Sequence, residues 1–599
     1  MIDQVFNVLA GGVPAQTSGQ CQTPDGARYS SLCTAANSLH IPVAYRSILP
    51  VIILAIGALG LLAISAVLPK RSQPGLYATL TALLGGAAAI TCAWEWGDIG
   101  KHHPQVTIGQ QILYDRFSVF FMLLISIAVI LGALISDSYL QREGLDGVES
   151  YVLILMSGVG AMLMADSAGL IMLFLGLEIM SIALYVLAAY HRRRTQSGEA
   201  GFKYFILGSF SSAIFLYGVA LVYGATGSTQ YGEIATYLSR DILTHTGVLL
   251  AGMALIIVGL GFKVAAVPFH FWAPDVYQGS PTPFTGYMAA VAKAAGFAGL
   301  IRVLLEALPT QATNWRPIIW FLALLTLLVG SVMAIAQRDL KRMLAYSSIS
   351  QVGYVLVGLQ AASASGTAGV LFYLFTYTFI IAGSFAVIGV IQGRGEARND
   401  LGAIRGLARR QPVLAAAMLI FLLAQAGVPL TSGFLAKLYV IQASVQAGQY
   451  PLAIIAMLAA AIAAFFYLRV ALLMYGTEPP AAAESDAAAA PVGVAIAGAG
   501  GAGGVGGEGG YGGVGGEGGY GGDGGDGGQS PDRSELAGLQ PVRSIDGPTA
   551  TIALEPPPTE ATPVPFYVSL ALTVCVVFTI FAGVSSPMID FARHATTLF

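Results

Sequence analysis

Residues 259–297 read GLGFKVAAVPFHFWAPDVYQGSPTPFTGYMAAVAKAAGF. This stretch is largely apolar, yet it contains Lys263, His270 and Lys293, and Pro268 interrupts it. A charged side chain at the centre of a membrane helix costs about 2.5–3.5 kcal/mol on insertion scales. A proline removes a backbone N–H, and the freed groups survive at membrane depth only where protein or water satisfies them. The stretch therefore predicts a broken membrane helix that holds ionisable groups.

The composition of the whole chain is that of a polytopic membrane protein. Of 599 residues, 10 % are charged and 55 % are hydrophobic, and the mean hydropathy is +0.72. Soluble proteins carry about 25 % charged residues. With a net charge of -3, the chain lacks the excess of basic residues that is typical of nucleic-acid-binding proteins. The motifs GxxxxGK[ST], GxGxxG and HExxH do not occur, so we expect no nucleotide or metal catalytic site.

Membrane-spanning helices need about 20 mainly apolar residues. Windows of this kind are centred near residues 58, 86, 126, 157, 179, 214, 258, 295, 326, 353, 379, 427, 463 and 574. They predict an all-α membrane protein with about 14 transmembrane helices. One set of alternate loops carries 15 Lys and Arg residues and the opposite set carries 4. By the positive-inside rule the first set is cytoplasmic, which predicts that both termini are extracytoplasmic.

The positions of the apolar runs divide the chain into four parts. These are an extracytoplasmic segment 1–47, a membrane core 48–475, a linker 476–562 rich in Gly, Ala and Pro, and a last transmembrane helix with its tail, 563–599. GGVGGEGGY occurs twice in the linker, but without the proline of collagen or the aliphatic residue of calcium-binding nonapeptides. The linker is therefore expected to be flexible and cytoplasmic.

The four cysteines form no CxxC pair, so zinc and iron–sulfur sites lack their usual spacing. Cys92 and Cys575 lie in apolar runs and are expected to pack as small hydrophobic residues. Cys21 and Cys33 could form a disulfide if their segment faces an oxidising compartment. The residues after Met1 show no basic region followed by an apolar one, so no cleaved signal peptide is expected.

Two further helices carry ionisable groups: Glu178 in LFLGLEIMSIALYVL and Lys437 in GFLAKLYV. One such lysine can snorkel or form a structural ion pair, and Glu178 with Lys263 could be only that. Several ionisable residues on separate membrane helices indicate a route for protons or ions. His270 could pass protons near neutral pH, or it could be a capped loop histidine. It lies seven residues after Lys263 and would share its face on a continuous helix.

A second proline repeats the local pattern A-x-V-P. Pro429 in AQAGVPLTSGF removes the N–H that would pair with the carbonyl of Gln425, as Pro268 does for Val264. Both prolines neighbour a lysine, and the predicted orientation makes their helices antiparallel. Such paired breaks are typical of inverted repeats that build an ion site near the membrane midplane.

Three stretches resemble the antiporter-like subunits of proton-pumping NADH:quinone oxidoreductase (respiratory complex I). They are residues 259–297, QRDLKRMLAYSSISQVGY at 337–354 and GVPLTSGFLAKLYV at 427–440. The resemblance runs from about residue 48 to 475 and resumes in the last span. It implies fourteen helices with two inverted five-helix repeats. The lysine of VAKAAGF separates the chain from the larger members of the family, which usually carry histidine there.

The resemblance also implies the roles of single residues. The family's proton-relay positions correspond here to Glu178 and Lys263 as the coupled pair, Lys293 as the central lysine, Lys437 near the proton exit, and Lys203 and His270 on the polar axis. The long N-terminal segment and the Gly-rich linker depart from the family pattern, but neither contains a matched position.

The expected function is therefore proton translocation across a bacterial cell membrane, driven by quinone reduction in other subunits. We expect no redox cofactor in this chain, and NADH, FMN, iron–sulfur clusters and quinone in its partners. Those partners include other antiporter-like subunits and the lipid bilayer. Two alternatives remain at this point: a subunit of an Mrp-type cation/proton antiporter, and a structural anchor that binds its neighbours without conducting.

Overall fold

Long apolar runs form the helices, and a computed structural model describes most of them. The described residues are 45–67, 75–99, 105–145, 147–240, 246–396, 399–476, 563–584 and 587–596. The predicted N-terminal segment 1–47 and the predicted linker 476–562 lie almost wholly outside this range, and so do Cys21 and Cys33. The predictions made for them stay predictions.

The elements of the described residues follow one another along the chain with short connections. The first part contains α1 (Leu49–Val67), α2 (Leu76–Ile99), β1 (Gln105–Thr107), β2 (Ile112–Tyr114), α3 (Arg116–Glu143), α4 (Glu149–Ala165), α5 (Leu170–Ala188), α6 (Thr195–Thr226), α7 (Tyr231–Arg240), α8 (Thr246–Val264), α9 (Trp272–Gly279) and α10 (Thr282–Ile301). The second part contains α11 (Ala312–Ile335), α12 (Leu340–Gln360), α13 (Ala364–Ile391), α14 (Leu407–Arg410), α15 (Pro412–Ala426), α16 (Ser432–Gln446), α17 (Tyr450–Tyr475), α18 (Phe566–Val584) and α19 (Pro587–Ala595). A π-helical turn, Arg302–Ala307, continues α10.

Local signals fix the helix ends. The antiparallel hairpin β1–β2 leads directly into Asp115, whose side chain accepts a hydrogen bond of 2.7 Å from the Ser118 N–H and caps α3. Gly144 ends α3 with a φ of 62°, a left-handed conformation that glycine adopts without a steric penalty. Asp339 caps α12 in the same way, by accepting a hydrogen bond of 2.8 Å from the Arg342 N–H.

Within the described residues, 11 helical segments are long and apolar enough to cross a membrane. The predicted windows near residues 157 and 427 coincide with shorter apolar helices, α4 and α15. The window near residue 353 coincides with α12, which does not meet these criteria. The prediction of an all-α polytopic membrane protein is confirmed, whereas the count of 14 helices and the two inverted repeats stay predictions.

The centre of the bundle is built from a few helices that are buried on all sides. In the segment formed by α10 and its π turn, 94 % of the most apolar 18-residue stretch is buried inside the protein. The corresponding share in the peripheral helix α2 is 28 %. Glycines allow close contacts in this bundle. A Cβ atom placed on Gly160 of α4 would lie 2.6 Å from the backbone oxygen of Gly176 on α5, so larger residues cannot replace these glycines without displacing a helix. Lys293 lies on the most buried of the spanning segments.

Both predicted helix breaks are present. The first separates α8, which ends at Val264, from α9, which begins at Trp272. The second separates α15, which ends at Ala426, from α16, which begins at Ser432. Each break lies beside one of the predicted lysines.

Candidate functional site

Lys263 lies in the last turn of α8 and is only 3 % exposed. Its ammonium nitrogen donates hydrogen bonds to the hydroxyl of Ser181 at 2.8 Å and to that of Tyr204 at 3.3 Å. The same nitrogen lies 5.7 Å from the ring centre of Tyr185, which adds a cation–π contact. Hydroxyl groups and aromatic rings, rather than a carboxylate, therefore surround this buried charge.

Glu178 lies on α5, one turn before Ser181. Its Oε1 is buried and has no hydrogen-bond partner in the described part of the chain. The carboxylate interacts electrostatically with Lys263. No ion pair within 4.0 Å joins the two among the residues that the structure describes, and the ammonium donates to the Ser181 hydroxyl. The structure thus brings the predicted pair to one site without direct contact.

The chain break after Lys263 is satisfied by neighbouring groups. The Ala266 N–H donates to the Gly261 carbonyl at 2.8 Å, and the Val267 N–H donates to the Thr326 hydroxyl of α11 at 3.0 Å. The indole N–H of Trp272 donates to the Phe262 carbonyl at 2.9 Å. Protein groups therefore replace the helical hydrogen bonds that end at Pro268, as membrane depth requires.

His270 lies inside this break and is 7 % exposed. Its Nδ1 is buried and has no hydrogen-bond partner in the described part of the chain. Because α8 ends at Val264, His270 and Lys263 do not lie on one continuous helix, and the condition for a shared helical face is not met.

Lys293 lies in the middle of α10 and is 4 % exposed. Its ammonium nitrogen donates to the Ser348 carbonyl at 2.8 Å, to the Ser348 hydroxyl at short range, and to the Tyr377 hydroxyl at 3.4 Å. The Ser348 and Tyr377 hydroxyls are themselves 2.6 Å apart. Gly296, three residues after Lys293 on α10, faces the side chain of Lys263. A Cβ atom placed on Gly296 would lie 3.7 Å from the Cγ of Lys263, so the aliphatic part of Lys263 lies close to the stretch of α10 that carries Lys293.

Lys437 lies on α16, directly beside the second break. Its ammonium nitrogen donates to the Gln425 carbonyl at 2.8 Å and to the Ala426 carbonyl at 3.0 Å, and it lies 4.6 Å from the ring centre of Tyr354. These are the last carbonyls of α15, where the helix dipole favours a cation. The carbonyl that Pro429 was predicted to free is thus the one that binds Lys437.

Lys293 and Lys437 are connected through α12. The hydroxyl of Ser347, the neighbour of Ser348, donates to the Gln425 side-chain oxygen at 3.0 Å. The Gln425 backbone oxygen accepts from Lys437, and its side-chain amide donates to the Ser384 hydroxyl at 2.9 Å. The polar contacts of the two lysines therefore meet at the consecutive residues Ser348 and Ser347 of α12.

Sequence reasoning did not select Ser347, Ser348 or Gln425, because neutral polar residues in membrane helices are common. The available signal is the polar run SSISQ at 347–351, in the part of α12 whose residues are all buried, 343–360. In a helix without contact to water, such residues must pair with other protein groups.

The remaining predicted residue, Lys203, has a different environment. Its side chain is 41 % exposed and forms ion pairs with Glu199 at 2.6 Å and with Asp275 at 3.0 Å. Arg342 pairs with the other oxygen of Asp275 at 2.7 Å. These residues line a cavity of about 680 Å³ at what we call the basic end of the bundle, defined by Arg194, Lys203, Lys341 and Arg342.

Glu396 is a buried residue at the basic end that sequence reasoning missed. It pairs with Lys341 at 2.8 Å and with Arg194 at 2.7 Å, and one of its oxygens accepts from the Thr282 N–H at 2.8 Å. Burial alone would raise the pKa of this carboxyl, but the charges of Lys341 and Arg194 outweigh it and lower the pKa to about 2.

In the described part of the chain, no group of three or more His, Cys, Asp or Glu side chains has the arrangement of a metal site.

Comparisons with known proteins agree with this fold and site. The family model described as NADH:quinone oxidoreductase/Mrp antiporter, transmembrane, matches residues 167–463. A chain in the structure of respiratory complex I from Thermus thermophilus with bound aureothin is 34 % identical, with a TM-score of 0.60, and the match covers 72 % of this chain and 90 % of that one. A chain of the Mrp complex from Dietzia sp. DQ12-45-1b has a TM-score of 0.71 over 92 % of this chain and 97 % of its own, but at 21 % identity it supports the fold alone. The fold and the buried lysines thus define a membrane subunit of the antiporter-like class.

Within that class, sequence similarity identifies one group. The protein named NADH-quinone oxidoreductase subunit N of Trichlorobacter lovleyi is 44 % identical over 430 residues, which cover 72 % of this chain and 87 % of that protein. The chain belongs to the family of NADH-quinone oxidoreductase subunit N. The resemblance to complex I and the assignment to a translocase subunit are therefore confirmed, and so is the distinction based on the lysine of VAKAAGF, which favoured subunit N.

Other predictions are confirmed only in their broader form. The solved relative at 34 % identity is a chain of respiratory complex I, which agrees with the predicted membrane-subunit partners. The chain is a multi-pass membrane protein. The relay roles of the six predicted residues and the orientation of the termini stay predictions.

Proposed function

We propose that this chain carries protons across the membrane along a buried axis, coupled to quinone reduction elsewhere in an NADH-quinone oxidoreductase. The axis contains Glu178, Lys263, Lys293 and Lys437. Its direction is from the basic end, the predicted cytoplasmic side, to the opposite end. NADH, FMN, iron–sulfur clusters and quinone belong to partner subunits in this proposal.

One observation carries the proposal: the lysines are buried and contact hydroxyl groups, carbonyls and rings. Lys293 and Lys437 are 4 % and 5 % exposed, and their polar contacts reach the neighbouring residues Ser348 and Ser347 of α12. Hydroxyl groups donate and accept hydrogen bonds, so they can pass a proton in either direction. A lysine that contacts only neutral groups can lose its proton without leaving a buried carboxylate unpaired. A lysine in a fixed ion pair cannot, because its carboxylate partner would lose its counter-charge.

Glu178 is the element that can control proton affinity. It lies close enough to interact electrostatically with Lys263, but the ammonium contacts Ser181 instead. A carboxylate that approaches Lys263 stabilises the charged lysine, and one that withdraws favours release of the proton. A conformational change that moves α5 against α8 would therefore drive the proton onward toward Lys293.

Lys203 and the cavity at the basic end provide the entry in this proposal. The side chain is exposed to the cavity, where Asp275 and Glu199 hold it. Its neighbour along α6 is Tyr204, whose hydroxyl accepts from Lys263. Consecutive residues of α6 thus contact the cavity and the buried axis, which makes this part of α6 the proposed point of entry.

The test is replacement of Lys263 by alanine in the chromosomal gene. We expect assembled complex that has lost proton pumping and coupled quinone reductase activity, measured in inverted membrane vesicles by dye quenching and by NADH oxidation. Arg240→Ala provides the control, because this exposed residue at the end of α7 lies away from the axis and should retain both activities. Full rates and full pumping in assembled Lys263→Ala complex would refute the relay role.

Two other outcomes separate the alternatives. If the chain co-purifies with cation/proton antiporter subunits and not with an NADH-oxidising activity, the Mrp-type function is correct. If Lys437→Met assembles normally and leaves pumping unchanged, the chain is a structural anchor at this position.

A further inference from the structure

A second group of buried charges lies at the end of the bundle opposite the basic end. Its centre is Arg302, which is fully buried at the start of the π turn after α10. Both terminal nitrogens of its guanidinium donate to Asp115, each at 2.7 Å, and Nη2 also donates to the Ser118 hydroxyl at 2.8 Å. Nη1 also donates to Glu306, and Nε donates to the Ala165 carbonyl at 3.3 Å. All five N–H groups of Arg302 are therefore in use.

Two more acids in this region have no donor. Asp166 follows Ala165 directly, and Glu95 lies near the end of α2, and both are 0 % exposed. Neither oxygen of either carboxyl group has a hydrogen-bond partner among the described residues. Glu95 interacts electrostatically with Asp166 and with Asp98, and Asp166 interacts with Arg302 and Asp115.

The charge balance decides the state of these two acids. The single positive charge of Arg302 already faces the carboxylates of Asp115 and Glu306. Two further cations lie in this region, Arg46 over the ring of Trp94 and Arg116 over the ring of Trp96, and neither donates a hydrogen bond to Glu95 or to Asp166. An ionised carboxylate that is buried and has no donor is so costly that such groups bind a proton instead.

The position of this pair along the helices connects it to the buried axis. Asp166 follows the last residue of α4 and lies four residues before α5 begins at Leu170, and Glu178 lies eight residues, or about 12 Å, further along α5. Arg302 lies nine residues, or about 13 Å, beyond Lys293 on the continuation of α10. Both helices that carry the central relay residues therefore end at this cluster.

We propose that Glu95 and Asp166 form a proton-binding pair through which protons leave the chain at the end opposite the basic end. The inference rests on the proposed function and adds a release site to it. Each carboxylate gains one proton from the axis, becomes a neutral carboxyl group, and later transfers that proton to water, without any change of oxidation state. Because the two acids repel each other when ionised, the loss of one proton strengthens the hold on the other, and the pair titrates as a unit.

The first measurement is infrared difference spectroscopy of the purified complex, titrated in ordinary and heavy water. Protonated carboxyl groups give a carbonyl band that carboxylates lack, and we expect part of it to be absent from Asp166→Asn and from Glu95→Gln. Glu233→Gln is the matched control, since Glu233 is an exposed acid on α7 and should leave the band unchanged. An unchanged band in both test variants would overturn the inference.

The second measurement is proton pumping per NADH oxidised in inverted vesicles. We expect a loss of pumping in the double variant Glu95→Gln/Asp166→Asn, with assembly retained, because an amide has the shape of a protonated carboxyl group. Failure of the single amide variants to assemble would show that the acids are needed in ionised form, which also overturns the inference. Lys263→Ala is measured in parallel: if it abolishes pumping while the double variant pumps normally, the proposed function stands and the release site does not.

Discussion

Glu396 provides the sharpest test of how the bundle is held together at its basic end. The carboxylate lies in the connection after α13 and pairs with Lys341 of α12 and with Arg194 before α6. Lys341 and Glu396 have side chains with 0 % exposure, so neither charge can turn to water. Glu396→Gln keeps the shape of the side chain and removes its charge, which leaves Lys341 buried without a counter-charge.

Two estimates of the cost agree. Removal of one partner of a buried ion pair destabilises proteins by about 3–5 kcal/mol. Lowering of the pKa of Glu396 from its ordinary 4.5 to about 2 corresponds to about 3 kcal/mol, at 1.36 kcal/mol for each pH unit. We therefore expect Glu396→Gln to destabilise the assembled chain by about 3 kcal/mol at neutral pH.

The pH dependence has a definite sign. Because the folded protein lowers the pKa of Glu396, the carboxylate stabilises the fold fully above its ordinary pKa of 4.5, and this contribution is lost as the pH falls toward 2. The difference in stability between the natural chain and Glu396→Gln should be constant from about pH 6 to 8 and should shrink below the ordinary pKa of the carboxyl group.

The assay is heat treatment of detergent-solubilised complex, followed by gel filtration with fluorescence detection of a tag on this chain. We expect the midpoint for Glu396→Gln to fall by about 2–3 °C, from the size scaling of unfolding entropy. The exposed residue Glu149, in the first turn of α4, supplies the control Glu149→Gln, which should cost at most about 1 kcal/mol. The double variant Glu396→Gln/Lys341→Met should recover part of the loss. An unchanged midpoint in the single variant would refute the assignment of these charges as a stabilising buried pair.

Three further substitutions test other parts of the structure. Gly176→Val should reduce the fraction of the chain found in assembled complex on native gels, because a Cβ atom would lie 2.8 Å from the backbone of Gly160, and overpacking costs about 1–3 kcal/mol. Ser347→Ala removes the donor to Gln425, so it should slow proton pumping in vesicles while it costs only about 1 kcal/mol of stability, and unchanged pumping would exclude this hydroxyl from the path. Arg302→Lys keeps the charge but loses the paired contact to Asp115, and we expect a loss of about 2 kcal/mol, seen as a lower midpoint in the heat assay.

Sequence patterns predicted those parts of the site that depend on one helix alone. Pro268 and Pro429 predicted the breaks, because a proline lacks the N–H that a helix interior requires. Patterns could not predict that the Lys437 ammonium binds the Gln425 carbonyl, since that contact depends on how α16 packs against α15. The Ser347–Gln425 connection and the Glu396 cluster were missed for the same reason: residues 78 and 55 positions apart become neighbours only in the folded bundle.

The contacts of the lysines distinguish a proton relay from the simpler structural alternative. If Lys263 were retained as half of a structural ion pair, its ammonium should contact Glu178, as Lys341 contacts Glu396 at the basic end. Instead, Lys263 donates to two hydroxyl groups, and Lys437 donates to two carbonyls. A neutral amine still has two N–H groups and can satisfy the same partners as an ammonium with three. These buried sites therefore tolerate both protonation states without a change of partners, whereas the ion pairs of the basic end do not.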